Sequence, residues 1–241
     1  MVKTRVVTAA VLASAVLALL FLSGPVTFTY FVDFVLLLGA WEWARLAGFD
    51  SAVKRVAYVL AVGMGIVALH MWGESYTYAV LGVSAVFWLF AFYAVCRYPE
   101  PGAWQKQSAL LVMGLFTLLP VWIALFVLKS LPSSNTWISL LFLMIWAADT
   151  GAFFAGRRFG KAKLAPNVSP GKTREGFYGG VFATLLVALV YAFALELTGL
   201  QWVLLMLLAL LVAVVSVLGD LFESMIKRNA GIKDSGNILP G

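Results

Sequence analysis

Charged residues are scarce in this sequence. Asp, Glu, Lys and Arg make up 12% of its 241 positions, against about 25% in soluble domains. With 63% apolar residues and a mean hydropathy of +0.97, too little polar surface is left to cover a globule in water. That excludes an ordinary soluble domain, and the apolar surface must meet lipid. A single cysteine, Cys96, excludes an internal disulfide and any cysteine-based metal centre; it lies in an apolar run and is expected to pack there. A single histidine, His70, excludes a His-Glu-x-x-His zinc site, and no Gly-x-Ser-x-Gly nucleophile turn occurs. The 17 Lys and Arg against 11 Asp and Glu give a net charge of +6. In a chain this apolar the excess suits membrane-surface loops facing anionic headgroups, not nucleic acid.

What the sequence has instead is a series of apolar runs, each near the ~20 residues that a spanning helix needs. Helices are expected near 6–22, 27–46, 56–72, 77–96, 108–130, 136–156, 176–197 and 201–227. The predicted architecture is an all-α, polytopic transmembrane helical bundle of about eight spans. Ser23-Gly24-Pro25, Pro99-Glu100-Pro101-Gly102 and Leu131-Pro132-Ser133-Ser134-Asn135 are turn-forming breaks that belong at the membrane surfaces. The basic N-terminus and following apolar stretch outline a signal peptide. The run to Leu22 is long for that role, and a retained first helix is expected. With the N-terminus in the cytoplasm, every Lys and Arg except Lys129 falls inside, 16 of 17, so span count and orientation support each other. Residues 1–130 form an N-terminal region of about five spans. Residues 131–241 form a C-terminal catalytic region with a cytoplasmic loop at 157–175.

Two cytoplasmic segments have the residue types for chemistry. In the first, Asp149 closes an apolar stretch where an unpaired carboxylate is costly. The loop after it holds six Lys and Arg between 157 and 174. Ser169-Pro170-Gly171-Lys172-Thr173-Arg174-Glu175-Gly176 opens the next helix, and a helix N-terminus favours phosphate. The segment is not a Walker A loop, because Pro166 stands where the first Gly is required. An ordinary positive-inside loop explains the charges equally well. In the second segment, Ser216, Asp220, Glu223, Ser224 and Lys227 recur at helical spacing on one face. Carboxylates and hydroxyls there suit Mg²⁺, which takes oxygen ligands. Lys227, Arg228 and Lys233 would neutralise a polyphosphate. Internal salt bridges such as Glu223 with Lys227 are the plainer alternative, but they leave Asp220 unexplained. Asp33, in mid-span, is either a functional carboxylate or a polar helix contact. His70 and Glu74 fall in a short, solvated outer loop. Trp41, Trp43 and Trp202 are expected in the interfacial belt.

The stretch Ser224-x-Ile226-Lys227-Arg228-x4-Lys233-Asp234-x-Gly236-x2-Leu239-Pro240 resembles the signature of the phosphatidate cytidylyltransferases, or CDP-diglyceride synthases. Asp149-Thr150-Gly151, Ser169-Pro170-x-Lys172-Thr173-x-Glu175-Gly176, the opening Lys3-Thr4-Arg5 and Glu42-Trp43 are similar to that family as well. The family pattern continues with His-Gly-Gly-x-x-Asp-Arg-x-Asp and a further C-terminal helix. The chain is therefore expected to be truncated within the signature that spans 216–241. It would then lack an acidic residue of the metal site and be inactive as given.

The resemblance implies transfer of the cytidylyl group of CTP to phosphatidic acid, giving CDP-diacylglycerol and pyrophosphate. It implies a Mg²⁺ cofactor, with room for a second, monovalent cation, and a homodimer in the cell inner membrane. Asp220 and Asp149 are the expected metal ligands, and with Lys227 and Arg228 they form the catalytic set. Ser169, Lys172, Thr173, Glu175, Glu223, Ser224, Lys233 and Asp234 are the expected substrate-binding residues. A transporter is the rival from another class. Its sites lie near midplane, whereas these charges cluster at the inner face. A CDP-alcohol phosphotransferase would need an Asp-Gly-x-x-Ala-Arg pattern that is absent.

Overall fold

A computed structural model describes residues 2–232. Its elements run α1 (Val2–Leu22), α2 (Pro25–Leu46), α3 (Ala52–Arg97), a single 3-10 turn (Ala103–Gln105), α4 (Gln107–Ser130), α5 (Ser134–Phe159), β1 (Lys163–Ala165), β2 (Ser169–Thr173), α6 (Arg174–Ala194) and α7 (Leu200–Asn229). Seven segments among the described residues are long and apolar enough to cross a membrane, two of them within α3, and Thr8–Leu22 is a shorter apolar helix. The protein is a multi-pass membrane protein, and its apolar helices match the eight expected.

The chain forms two compact units. Among the described residues, one contains residues 2–91, 101–135 and 226–232; the other contains residues 92–100 and 136–225.

In the first unit α2 and the start of α3 both pack on α4 through aromatic donors. The Trp43 indole donates to the Leu110 carbonyl at 2.7 Å, and the Tyr58 hydroxyl donates to that of Leu111 at 2.8 Å. Gly114 permits both contacts, because a Cβ there would fall on the Trp43 ring and the Tyr58 hydroxyl. Trp43 is thus buried in helix packing and does not sit in an interfacial belt. Trp41 is half-buried beneath the Arg55 guanidinium. Asp33 resolves as a helix contact. Its carboxylate accepts from the Trp122 indole at 2.6 Å and lies 3.2 Å from His70 Nε2. Lys129 is buried at the far end of α4, where it donates to the Leu20 carbonyl and to Asn135 Oδ1 and lies over the Phe28 ring. It thereby satisfies a carbonyl in the last turn of α1.

The expected outer loop at His70 and Glu74 is instead helical, and α3 is continuous from Ala52 to Arg97. Its contacts nevertheless reverse direction. Tyr58 meets Leu111, Gly65 meets Leu119, and Gly73 meets Ile123. A straight helix would carry Phe87 about 21 Å past Gly73. Phe87 instead stacks on Phe116 at 5.6 Å, about two turns back along α4, and Phe90 reaches Trp104. The helix therefore folds back near Gly73, without a break in its helical backbone, and provides two spans.

In the second unit α5 and α6 meet along small residues. A Cβ on Gly151 would come within 2.5 Å of the Gly179 carbonyl oxygen, one on Gly176 within 2.9 Å of the Ala152 oxygen, and one on Gly180 within 2.7 Å of the Ala148 oxygen. Lipid gives helices no hydrophobic reason to associate, so close backbone approach supplies the attraction. Thr184 adds a hydroxyl donated to the Met144 carbonyl. Leu140, Met144, Ala188, Ala192, Leu205 and Ala209 form a core shared with α7. Trp202, half-buried near the start of α7, packs against this core and edge-on to Phe193. Gly151→Val should lower the stability of the detergent-solubilised protein by about 1–3 kcal/mol through overpacking. Gly82→Ala, where a methyl meets nothing within 4 Å, should leave the thermal midpoint unchanged. Equal midpoints for both variants would remove the seam argument.

Candidate active site

The basic segment after α5 is a β-hairpin, not the expected loop. β1 and β2 pair antiparallel with Lys163 opposite Thr173 and Ala165 opposite Ser169. Pro170 is tolerated because a two-stranded ribbon has a free edge. Val168 is buried just before β2 and anchors the turn. The helix expected from about residue 176 begins at Arg174, with Thr173 as its N-cap, whose side chain accepts from the Gly176 N–H at 3.1 Å. Glu175, in the first turn of α6, reaches back. Its carboxylate accepts from the Lys161 N–H at 3.0 Å and the Ala162 N–H at 3.2 Å. The hairpin is therefore held at its entry by Glu175 and at its exit by Thr173.

Held in this way, β2 presents Lys172 to α7. Its ammonium lies 2.5 Å from Asp220 Oδ2, an ion pair whose side chains are 28% and 44% exposed. Such partial exposure leaves both groups open to a ligand. Asp149, on α5, lies within electrostatic reach of both Asp220 and Lys172. Residues from three elements thus come within electrostatic range of one another, the ion pair itself being between Lys172 and Asp220. Glu223 and Ser224 follow one turn further along α7, Glu223 exposed and Ser224 half-buried. Ser169 sits at the start of β2, opposite Ala165. Lys227 and Arg228 occupy the last turn of α7 and group with the first unit. Lys233 and Asp234 lie outside the described residues.

Among the described residues no three His, Cys, Asp or Glu side chains gather into a metal cage. Two carboxylates form a different kind of donor set. Mg²⁺ is commonly held by one or two carboxylates and completes its octahedron with water and substrate phosphate. Both donors are carboxylates, the oxygen ligands that a hard cation takes. Asp149 and Asp220 therefore fit a hard divalent cation.

A profile of the cytidylyltransferase family matches residues 3–241. The chain belongs to the cytidylyltransferase family. A phosphatidate cytidylyltransferase of Pseudomonas aeruginosa is 45% identical over 242 residues, covering 100% of this chain and 89% of its own. One from Haemophilus influenzae is 35% identical over 267 residues, covering 100% and 91%. One from Staphylococcus epidermidis is 48% identical over 105 residues, covering 44% of this chain and 40% of its own.

In this cytidylyltransferase, sequence reasoning missed the hairpin and the glycine seam that set the distance between Asp149 and Lys172. The small-residue spacing Ala148, Gly151, Ala152, Ala155 against Gly176, Gly179, Gly180, Ala183 was the available signal. It also gave Glu175 no structural role, though its carboxylate ties down two backbone N–H groups. Glu175→Ala should therefore loosen the hairpin entry, with tryptic cleavage after Lys161 and Lys163 accelerated severalfold. Glu175→Gln, which retains an acceptor oxygen, should fall between. Cleavage rates unchanged in both variants would mean that the tie does not hold the hairpin.

Proposed function

We propose that this protein transfers the cytidylyl group of CTP to phosphatidate, releasing pyrophosphate and leaving CDP-diacylglycerol in the membrane. The reading is carried by the convergence of Asp149, Lys172 and Asp220 in a chain whose full-length relatives are named for this activity. An oxygen of the phosphatidate phosphate attacks the α-phosphorus of CTP, and the bond to the β-phosphate oxygen breaks. Phosphoryl chemistry of this kind asks the protein mainly to position reactants and neutralise charge.

Asp149 and Asp220 would hold Mg²⁺, which when bound would polarise phosphate oxygens and offset their charge. Lys172, presented by a strand fixed at both ends, is suited to a phosphate of either substrate and keeps the two carboxylates from repelling each other without compensation. Ser224 and Glu223 line the next turn of α7. Thr173 and Glu175 position the hairpin, and Ser169 contributes to its order. On helical spacing, Lys227 and Arg228 serve the pyrophosphate. Lys233 and Asp234 take the substrate-binding roles that the family pattern gives them. The site belongs on the cytoplasmic face of the inner membrane, where CTP arrives from water and the lipid headgroup arrives laterally.

The test is conversion of labelled CTP into a lipid-soluble product by the full-length protein, carrying the rest of the signature, in phosphatidate-containing proteoliposomes, with Mg²⁺ or with EDTA. Product should require the metal. Asp220→Ala should lower the rate by about a hundredfold or more, as expected when charge stabilisation is removed from a phosphoryl-transfer site. Full activity in Asp220→Ala would sink the metal assignment. A full-length wild-type protein that makes no labelled lipid under these conditions would sink the reaction.

A further inference from the structure

A cavity of about 420 Å³ opens in the second unit beside the Asp220 turn of α7. Its walls include Cys96 at the end of α3, Val168 of the hairpin, Phe177 of α6, and Val217, Leu218 and Leu221 of α7. Val217, Leu218 and Leu221 follow one another at helical spacing, next in sequence to Asp220. Val168 belongs to the same hairpin that presents Lys172 to that aspartate. The cavity is therefore built from the elements that build the polar site.

Its volume lies in the range of about 300–1,000 Å³ that small-molecule sites occupy. Its lining contains no Lys, Arg, Asp or Glu, and Asn167, Tyr98 and Cys96 are its polar members. A nucleoside triphosphate has nothing there to offset its charge. Of the two substrates in the proposed reaction, only a hydrocarbon tail suits these walls, since apolar surface gains from contact with apolar surface and a phosphate would lose its solvation. We propose that this cavity seats an acyl chain of the phosphatidate, holding the lipid so that its phosphate lies at Lys172 and Asp220. The proposal rests on the cytidylyltransfer reading and assigns that reaction a lipid-chain subsite.

Cys96 is exposed in the cavity wall, which corrects the expectation that it packs in an apolar run. As the sole cysteine of the chain, it is a built-in reporter of occupancy. In detergent-solubilised wild-type protein, dioleoyl phosphatidate should slow alkylation of Cys96 by N-ethylmaleimide about tenfold, as expected for a well-filled apolar pocket. CTP, glycerol 3-phosphate and dioleoyl phosphatidylcholine should leave the rate unchanged. Equal slowing by phosphatidylcholine would make the cavity a general lipid contact and overturn the proposal, as would no slowing by phosphatidate.

Val217→Trp fills the cavity from α7. It should raise the KM for dioleoyl phosphatidate about tenfold while leaving the KM for CTP unchanged, and it should affect dihexanoyl phosphatidate far less. Equal effects on long and short chains would overturn the seat. The alkylation experiment needs no variant to fold and no turnover. Protection of Cys96 in a protein that makes no CDP-lipid would sink the reaction and keep the lipid seat; turnover without protection would do the reverse.

Discussion

The ion pair between Lys172 and Asp220 joins parts of the chain with different physical constraints. Asp220 belongs to a helix whose first twenty residues are almost wholly apolar, and Lys172 to a short ribbon made mostly of polar, Gly and Pro residues. A carboxylate near hydrocarbon is expensive unless a partner or water reaches it. Here the partner arrives on a strand fixed at both ends, so the compensation is local and geometrically defined. Asp149 within range of both groups adds a second negative charge. Two carboxylates so placed are suited to a divalent cation and, through it, to phosphate.

Packing determines where those charges stand. The ribbon is strung between α5 and α6, and those helices are held by backbone-to-backbone contact at Gly151, Gly176 and Gly180. Any widening of that seam would move Asp149, on α5, relative to Lys172, at the foot of α6. The first unit relies on different devices, with indole and phenol donors reaching helix carbonyls past Gly114 and a buried lysine closing the end of α1. In each unit side-chain donors thus reach helix carbonyls, Trp43, Tyr58 and Lys129 in the first and Thr184 in the second, the kind of internal pairing that hydrocarbon favours.

The spans were legible because hydrocarbon thickness sets a length, and eight apolar runs of that length are hard to misread. The acidic and basic residues of the site were legible as types, because carboxylates recurring at helical spacing after an apolar run have few bland explanations. The hairpin was not. Its strands are three and five residues long, and Ser-Pro-Gly-Lys-Thr carries neither alternation nor β-branched enrichment. Only the clamps from Glu175 and Thr173 make it a ribbon. The reversal of α3 was legible as two spans but not as unbroken helix, since Gly73 and Glu74 carry ordinary turn chemistry. Trp43 was misplaced because tryptophan near a span end has two common roles, and its burial depends on Gly114, seventy-one residues away in sequence.

The α5–α6 seam also constrains how this protein can change over generations. Every missense change at Gly151, Gly176 or Gly180 adds a carbon, and what that carbon meets is a main-chain oxygen. A facing side chain could be trimmed by a second mutation, but a carbonyl is common to all twenty residues and cannot be. Genetic suppressors of damage at the seam must therefore arise elsewhere, in substitutions that re-seat a whole helix.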